Sequence, residues 1–157
     1  MRLIQNILKL QVDEVKANLN LPNMMFRYCT GGEFIQALKM IQKSEIKYPF
    51  FFIDSSTVVY GKDTVKVGKI IIAKNTVSTY TSEQREVKSF NDVLVPIVNE
   101  FIEEIWIDNR DLSVMKHGDI KLWYFYGNSG IYDVSGNVFE DAVDAIELKD
   151  FQFRISN

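Results

Sequence analysis

The stretch that most restricts how this chain can fold is Tyr48-Pro49-Phe50-Phe51-Phe52-Ile53-Asp54. Four consecutive large apolar residues, opened by a proline and closed by Asp54-Ser55-Ser56, form too short a run for a buried helix. They read as a strand. Successive strand side chains point to opposite faces, so such a run must be covered on both sides. The cover is expected to come from helices or from another subunit.

A second constraint lies downstream. Val93, Leu94, Ile97, Val98, Phe101, Ile102 and Ile105 recur at steps of three or four, the stripe of a helix with one buried face. The predicted helix runs from Asn91 to Ile107, with Pro96 marking a kink or the true start. Asn99, Glu100, Glu103 and Glu104, with Asp108 beyond them, take its wet side.

The remaining elements follow from period and punctuation. Leu3, Ile4, Ile7, Leu8 and Val15 give a helical stripe over residues 2–18, ended by Asn18, Asn20 and Pro22. Met24 to Cys29 reads as a short strand. Glu33 to Lys43 reads as a second helix with Phe34, Leu38 and Ile41 inward, and Thr30 with Glu33 forms a capping box. Thr57 to Tyr60, the Gly61-Lys62-Asp63 turn and the run Val65 to Lys74 suggest paired strands, with Gly68 a bulge. Ile120 to Tyr126 is an aromatic strand after a Lys116-His117-Gly118-Asp119 turn. In the closing segment, Phe151, Phe153 and Ile155 alternate with polar residues in a terminal strand free to pair at a sheet edge.

These elements specify an α+β fold, a mixed, mainly antiparallel sheet packed against two or three helices. The 157 residues fit a single domain, 1–157, within which the helix of residues 1–20 is read as a peripheral or assembly element. The apolar run near the N-terminus is broken by Gln5, Asn6 and Lys9 and lacks a cleavage site, so it is not read as a signal peptide. No run of 18 apolar residues occurs, and no membrane partner is expected.

Little in the sequence points to chemistry. His117, the lone histidine, sits in a turn and reads as a surface residue, and the lone Cys29 as a small packed residue. No phosphate loop or nucleophile motif is present, and no cofactor or metal is expected. The formal net charge of −3 gives no reason to expect a nucleic-acid binder. Lys62, Lys66, Lys69 and Lys74 cluster, which a solvated hairpin explains better than a phosphate site. The aromatics of Tyr124-Phe125-Tyr126 are better read as packing than as base-stacking, since only Lys121 is adjacent. Asp133 with Glu147-Leu148-Lys149 has the acid–acid–lysine order of Mg²⁺-dependent nucleases, where two carboxylates hold the metal and a lysine positions water. Such patterns arise by chance in acid-rich chains, and no basic groove accompanies this one.

Three stretches carry a family resemblance. They are Tyr48 to Ile53; Lys69-Ile70-Ile71-Ile72-Ala73 with Thr76 and Thr81-Ser82-Glu83-Gln84-Arg85; and Asp144-Ala145-Ile146-Glu147-Leu148-Lys149-Asp150-Phe151-Gln152-Phe153. In this order, with Ser89-Phe90 leading into the Pro96 helix, residues 45–155 resemble the tail-terminator-like and tail-completion neck proteins of tailed bacteriophages. The resemblance implies a non-enzymatic virion protein: a homo-oligomeric ring joining connector and tail, assembled in the host cytoplasm. Its partners would be other neck or tail proteins, with non-specific contact to DNA in the channel. The alternatives are a small non-viral protein-binding module or the nuclease.

Overall fold

A computed structural model describes residues 3–41, 49–76, 79–107, 112–124, 126 and 143–155. In chain order the elements are α1 (Ile4–Asn18), β1 (Met25–Cys29), α2 (Gly31–Ile41), β2 (Phe50–Asp54), a 3₁₀ turn (Ser55–Thr57), β3 (Val58–Tyr60) and β4 (Thr64–Asn75). Then come α3 (Ser82–Arg85), a π-helical segment (Glu86–Leu94), α4 (Val95–Ile107), β5 (Leu112–Lys116), β6 (Ile120–Trp123) and β7 (Val143–Ile155). This is the α+β arrangement expected, with helices against a mostly antiparallel sheet.

The sheet order is β1-β2-β4-β7-β5, with β3 continuing beside β4 and β6 beside β7. Among the described residues, only the β1–β2 pair is parallel. Two long strands, β4 and β7, pair with each other along most of their length and form the centre. The flanking strands are each interrupted once. β2 and β3 pair with successive parts of β4 on either side of the 3₁₀ turn, and β5 and β6 pair with successive parts of β7 on either side of His117-Gly118-Asp119.

The interruptions line up with faults in the central strands. The β4–β7 register runs from Thr64↔Arg154 to Val67↔Phe151, skips Gly68 and Asp150, and resumes at Lys69↔Lys149. The amides of Gly68 and Lys69 both donate to Thr57 Oγ1, at 3.1 Å each. Two successive N–H groups pointing the same way are the mark of a bulge. Asp150 opposite adopts φ 54°, the left-handed region. In both strands the inward side thereby shifts by one residue: Val65, Val67, Ile70 and Ile72 lie in one core, as do Ile146, Leu148, Phe151 and Phe153.

That first core lies between the sheet and the helices α1 and α4, and contains Phe51, Ile53, Ile97, Phe101 and the α1 stripe Ile4, Ile7, Leu8, Val12 and Val15. A second core covers the opposite sheet face. Phe50, Phe52, Ile71, Ala73, Val143 and Ala145 pack there under Phe34 and Ile35 of α2 and under Tyr126. Phe34 stacks on Phe52 with centroids 3.8 Å apart, and Phe51 meets Phe101 at 5.0 Å. All four apolar residues of β2 are buried within the one chain. The second cover is therefore supplied by α2, neither by a neighbouring subunit nor by the N-terminal helix, which packs on the first face.

Local signals account for the helix ends. α1 has no side-chain cap, and its first amide donates instead to Tyr60 Oη at 3.1 Å. It ends in a Schellman arrangement: Asn20 turns left-handed (φ 53°) and the Leu21 amide donates to the Lys16 carbonyl at 2.8 Å. The Thr30–Glu33 capping box forms as expected, with bonds of 3.0 and 3.3 Å.

Two sequence expectations need correction. The long helix begins at Ser82 rather than at Asn91, because Thr81 and Gln84 form a reciprocal capping box there. The chain then passes through the π segment, whose wide turns close as the Val95 amide donates to the Phe90 carbonyl. The next residue, Pro96, has no N–H to continue that pattern. The second correction concerns β7. The last strand lies inside the sheet, flanked by β4 and by β5 and β6, and offers no free edge. Its alternation marks a half-buried strand but carries no information about its neighbours. Leu38, Ile41, Ile105, Glu104 and Asp108 lie outside the described residues or side chains.

Candidate functional site: a buried ion pair and a basic sheet face

Two of the three stretches that carry the family resemblance meet. Thr81 Oγ1 accepts from the Gln84 amide at 3.2 Å and Gln84 Oε1 from the Thr81 amide at 2.9 Å, fixing the start of α3. That cap aims Arg85 at the sheet, where it is 3% exposed with Nε 3.8 Å from Oδ2 of the fully buried Asp144 on β7. The next residue, Glu86, accepts from Tyr124 Oη at 3.0 Å, and Phe90, a turn further on, packs edge-on to the Tyr124 ring. Burial, followed by the hydrogen bond and charge of Glu86, pushes the Tyr124 phenol above its ordinary value. This group clamps helix to sheet.

On the second face lie two buried carboxylates. Asp54 accepts from the Ser56 amide (3.1 Å) and hydroxyl (2.6 Å), closing the 3₁₀ turn. Glu147 accepts from the Trp123 indole N–H at 2.9 Å. Tyr126, buried near both, has its phenol pushed far up, by burial first and then by the charges of Glu147 and Asp54. Asp133, the first residue of the nuclease pattern, is outside the described residues. Glu147 and Lys149 do share a sheet face, but the Glu147 carboxylate is engaged by Trp123. Among the described residues no three His, Cys, Asp or Glu side chains gather as metal ligands.

His117 is exposed in the strand interruption, where its ring stacks at 5.2 Å on Phe151. Cys29 is half-buried and its thiol is pushed up, mainly by burial and secondarily by Glu33. A raised thiol pKa keeps it protonated and unreactive.

Beyond the part covered by α2, the second face is basic. Lys69 and Lys149 stand directly opposite each other on β4 and β7, Lys66 is opposite Gln152, and Gln152 is in turn opposite Lys116 of β5. Arg154 continues the row on β7, and Lys121 of β6, opposite Glu147, sets its ammonium 3.6 Å over the Trp123 ring. Lys66, Lys116, Lys121 and Arg154 are exposed and Lys69 and Lys149 half-buried. The sequence reading missed this surface and found no basic groove, because strict alternation would put Lys66 and Lys69, an odd number of positions apart, on opposite faces. The bulge brings them to one side, and the matching shift at Asp150 does the same for Lys149 and Arg154. The Gly68 bulge already expected from sequence was the available signal. Comparison with protein-family models, curated proteins and solved structures finds no match to this chain.

Proposed function

We propose that the chain is a non-catalytic structural subunit, of the ring-forming neck or tail-completion kind its sequence resembles, joining connector and tail in a bacteriophage virion. One structural observation supports the reading: the outer strand β6 presents Ile120 and Leu122, each 44% exposed, on one face. An outer strand carrying apolar side chains is a natural seat for a second subunit, and a closed ring would bury it in every copy. The fully covered β2 and the interior β7 lend the reading no support, so it rests on this strand and on the resemblance.

Mass photometry or light scattering of the purified protein tests it, alongside detection of the chain in purified particles at one axial position. A discrete closed oligomer weakened by Ile120→Lys with Leu122→Lys, or a monomer that complements tail assembly, is the expected result. A strict monomer absent from particles would replace the proposal with the protein-binding module.

A further inference from the structure

We propose that copies of this chain meet head to tail, the basic part of the second sheet face in one copy seating against the acidic outer surface of α3, the π segment and α4 in the next. This inference rests on the ring reading above and deepens it by naming the two surfaces that touch. On the first of them Lys66, Lys116, Lys121 and Arg154 are exposed. Val58 and Tyr60 of β3 turn toward the first core, so Val59 between them stands on the cation-bearing face, directly opposite Lys66 and 63% exposed.

The second surface has the opposite charge. The π segment and α4 pack on the first sheet face through Phe90, Leu94, Ile97 and Phe101, so their outer side looks away from the sheet. Glu86 is held by Tyr124 and Glu100 by the Asn18 amide at 2.9 Å, while Glu83, Asp92 and Glu103 are exposed. Lys88, the one exposed cation between Ser82 and Ile107, lies back over the Tyr80 ring at 4.8 Å and reaches its hydroxyl at 3.4 Å. Val87, 49% exposed, stands between Glu83 and Asp92 at steps of four and five, and the wider π turn keeps the step of five on one side.

The match selects a second copy as the occupant. Each surface sets one exposed valine among charges of a single sign, an apolar contact with a charged rim, and the two signs are complementary. With a formal net charge of −3 the copies repel as whole bodies, so attraction is confined to the orientation that brings these surfaces together. Because the surfaces lie on opposite sides of the chain, one contact leaves both partners with a free end, and repetition ends when a ring closes. Lys121 lies between Ile120 and Leu122 on β6, so the basic face adjoins the apolar outer strand on which the ring reading rests. An unrelated acidic partner would use the basic face alone and leave the Val87 side without a role.

The test is sedimentation velocity of the full-length protein over a range of concentration and salt. Reversing the basic face (K66E, K116E and R154E) or the acidic surface (E83K, D92K and E103K) should each raise the concentration needed for assembly at least about tenfold at low salt. Combining both sets restores the complementarity and leaves the net charge at −3, so the combined variant should assemble again. Added salt should weaken assembly of the wild type and of the combined variant alike. Thermal unfolding checks that each variant is folded. Where one is not, its neutral form (K66Q, K116Q and R154Q, or E83Q, D92N and E103Q) takes its place with a smaller loss in the same direction. An oligomer lost in Ile120→Lys with Leu122→Lys but unchanged in both triple variants would leave the ring reading standing and overturn this one. It is also overturned by a folded combined variant that fails to assemble, or by a wild type that stays monomeric at low salt, including one whose basic face takes up an added oligothymidine instead.

Discussion

Arg85, at the end of the first turn of α3, places its guanidinium Nε 3.8 Å from the carboxylate of Asp144 on the central strand β7, and both side chains are buried. Taking either charge away removes an opposite charge from beside the other in a dry setting. Arg85→Ala or Asp144→Ala is therefore expected to cost ~3–5 kcal/mol each. Replacing both with apolar residues of similar volume (Arg85→Met with Asp144→Leu) should cost clearly less than the two single losses added together. Urea denaturation of the three variants checks this. Additive losses would mean that the two residues act separately.

The bulge offers a second test. Thr57 Oγ1 accepts from two amides at once, while its own hydroxyl donates to the Asp54 carbonyl at 2.7 Å. Thr57→Val keeps the shape and removes all three bonds, with an expected loss of about 1–3 kcal/mol, whereas Thr57→Ser should be much milder. A methyl group added at Gly68 would lie 2.9 Å from Thr57 Cβ, so Gly68→Ala should also destabilise, by ~1–3 kcal/mol. Amide exchange at Gly68 and Lys69 should quicken in both Thr57→Val and Gly68→Ala.

Helix α4 is phased by the same denaturation series. Phe101 is fully buried against Phe51, and Phe101→Ala should cost ~3–5 kcal/mol. Glu103 is exposed, and Glu103→Ala should change stability by less than about 0.5 kcal/mol. Equal effects would contradict the placement of the helix.

The tyrosines should report alkaline stability. Tyr28 is pushed up to about 12 by burial and by the charge and hydrogen bond of Tyr60, and Tyr126 is pushed further in the same direction. A phenol whose folded pKa exceeds its unfolded value favours folding while protonated. The contribution is complete below about pH 10 and disappears as pH rises through the folded pKa, at about 12 for Tyr28. Tyrosinate absorbance should therefore show a late-titrating fraction in the native protein, reduced in Tyr28→Phe and in Tyr126→Phe. The native protein should lose stability above pH 10 more steeply than either variant.

The elements themselves were legible in the sequence because each rests on short-range physics. The Phe50–Ile53 run, the α1 and α4 stripes and the Thr30–Glu33 capping box all lie within a turn or two of chain, and period and capping chemistry are enough to identify them. The Thr81–Gln84 box is equally local, but it precedes the apolar stripe, so periodicity alone places the helix start too late. What only the tertiary structure decided is which surfaces meet. That α2 rather than a neighbour covers Phe50 and Phe52 depends on the path between strands, which periodicity does not encode. That β7 is central rather than an edge depends on pairing over long separations. The gathering of Lys66, Lys69, Lys116, Lys121, Lys149 and Arg154 required both. A one-residue shift at Gly68 and Asp150 reverses which side every later side chain faces, and only the pairing of β4, β5, β6 and β7 turns that local fault into a single basic surface.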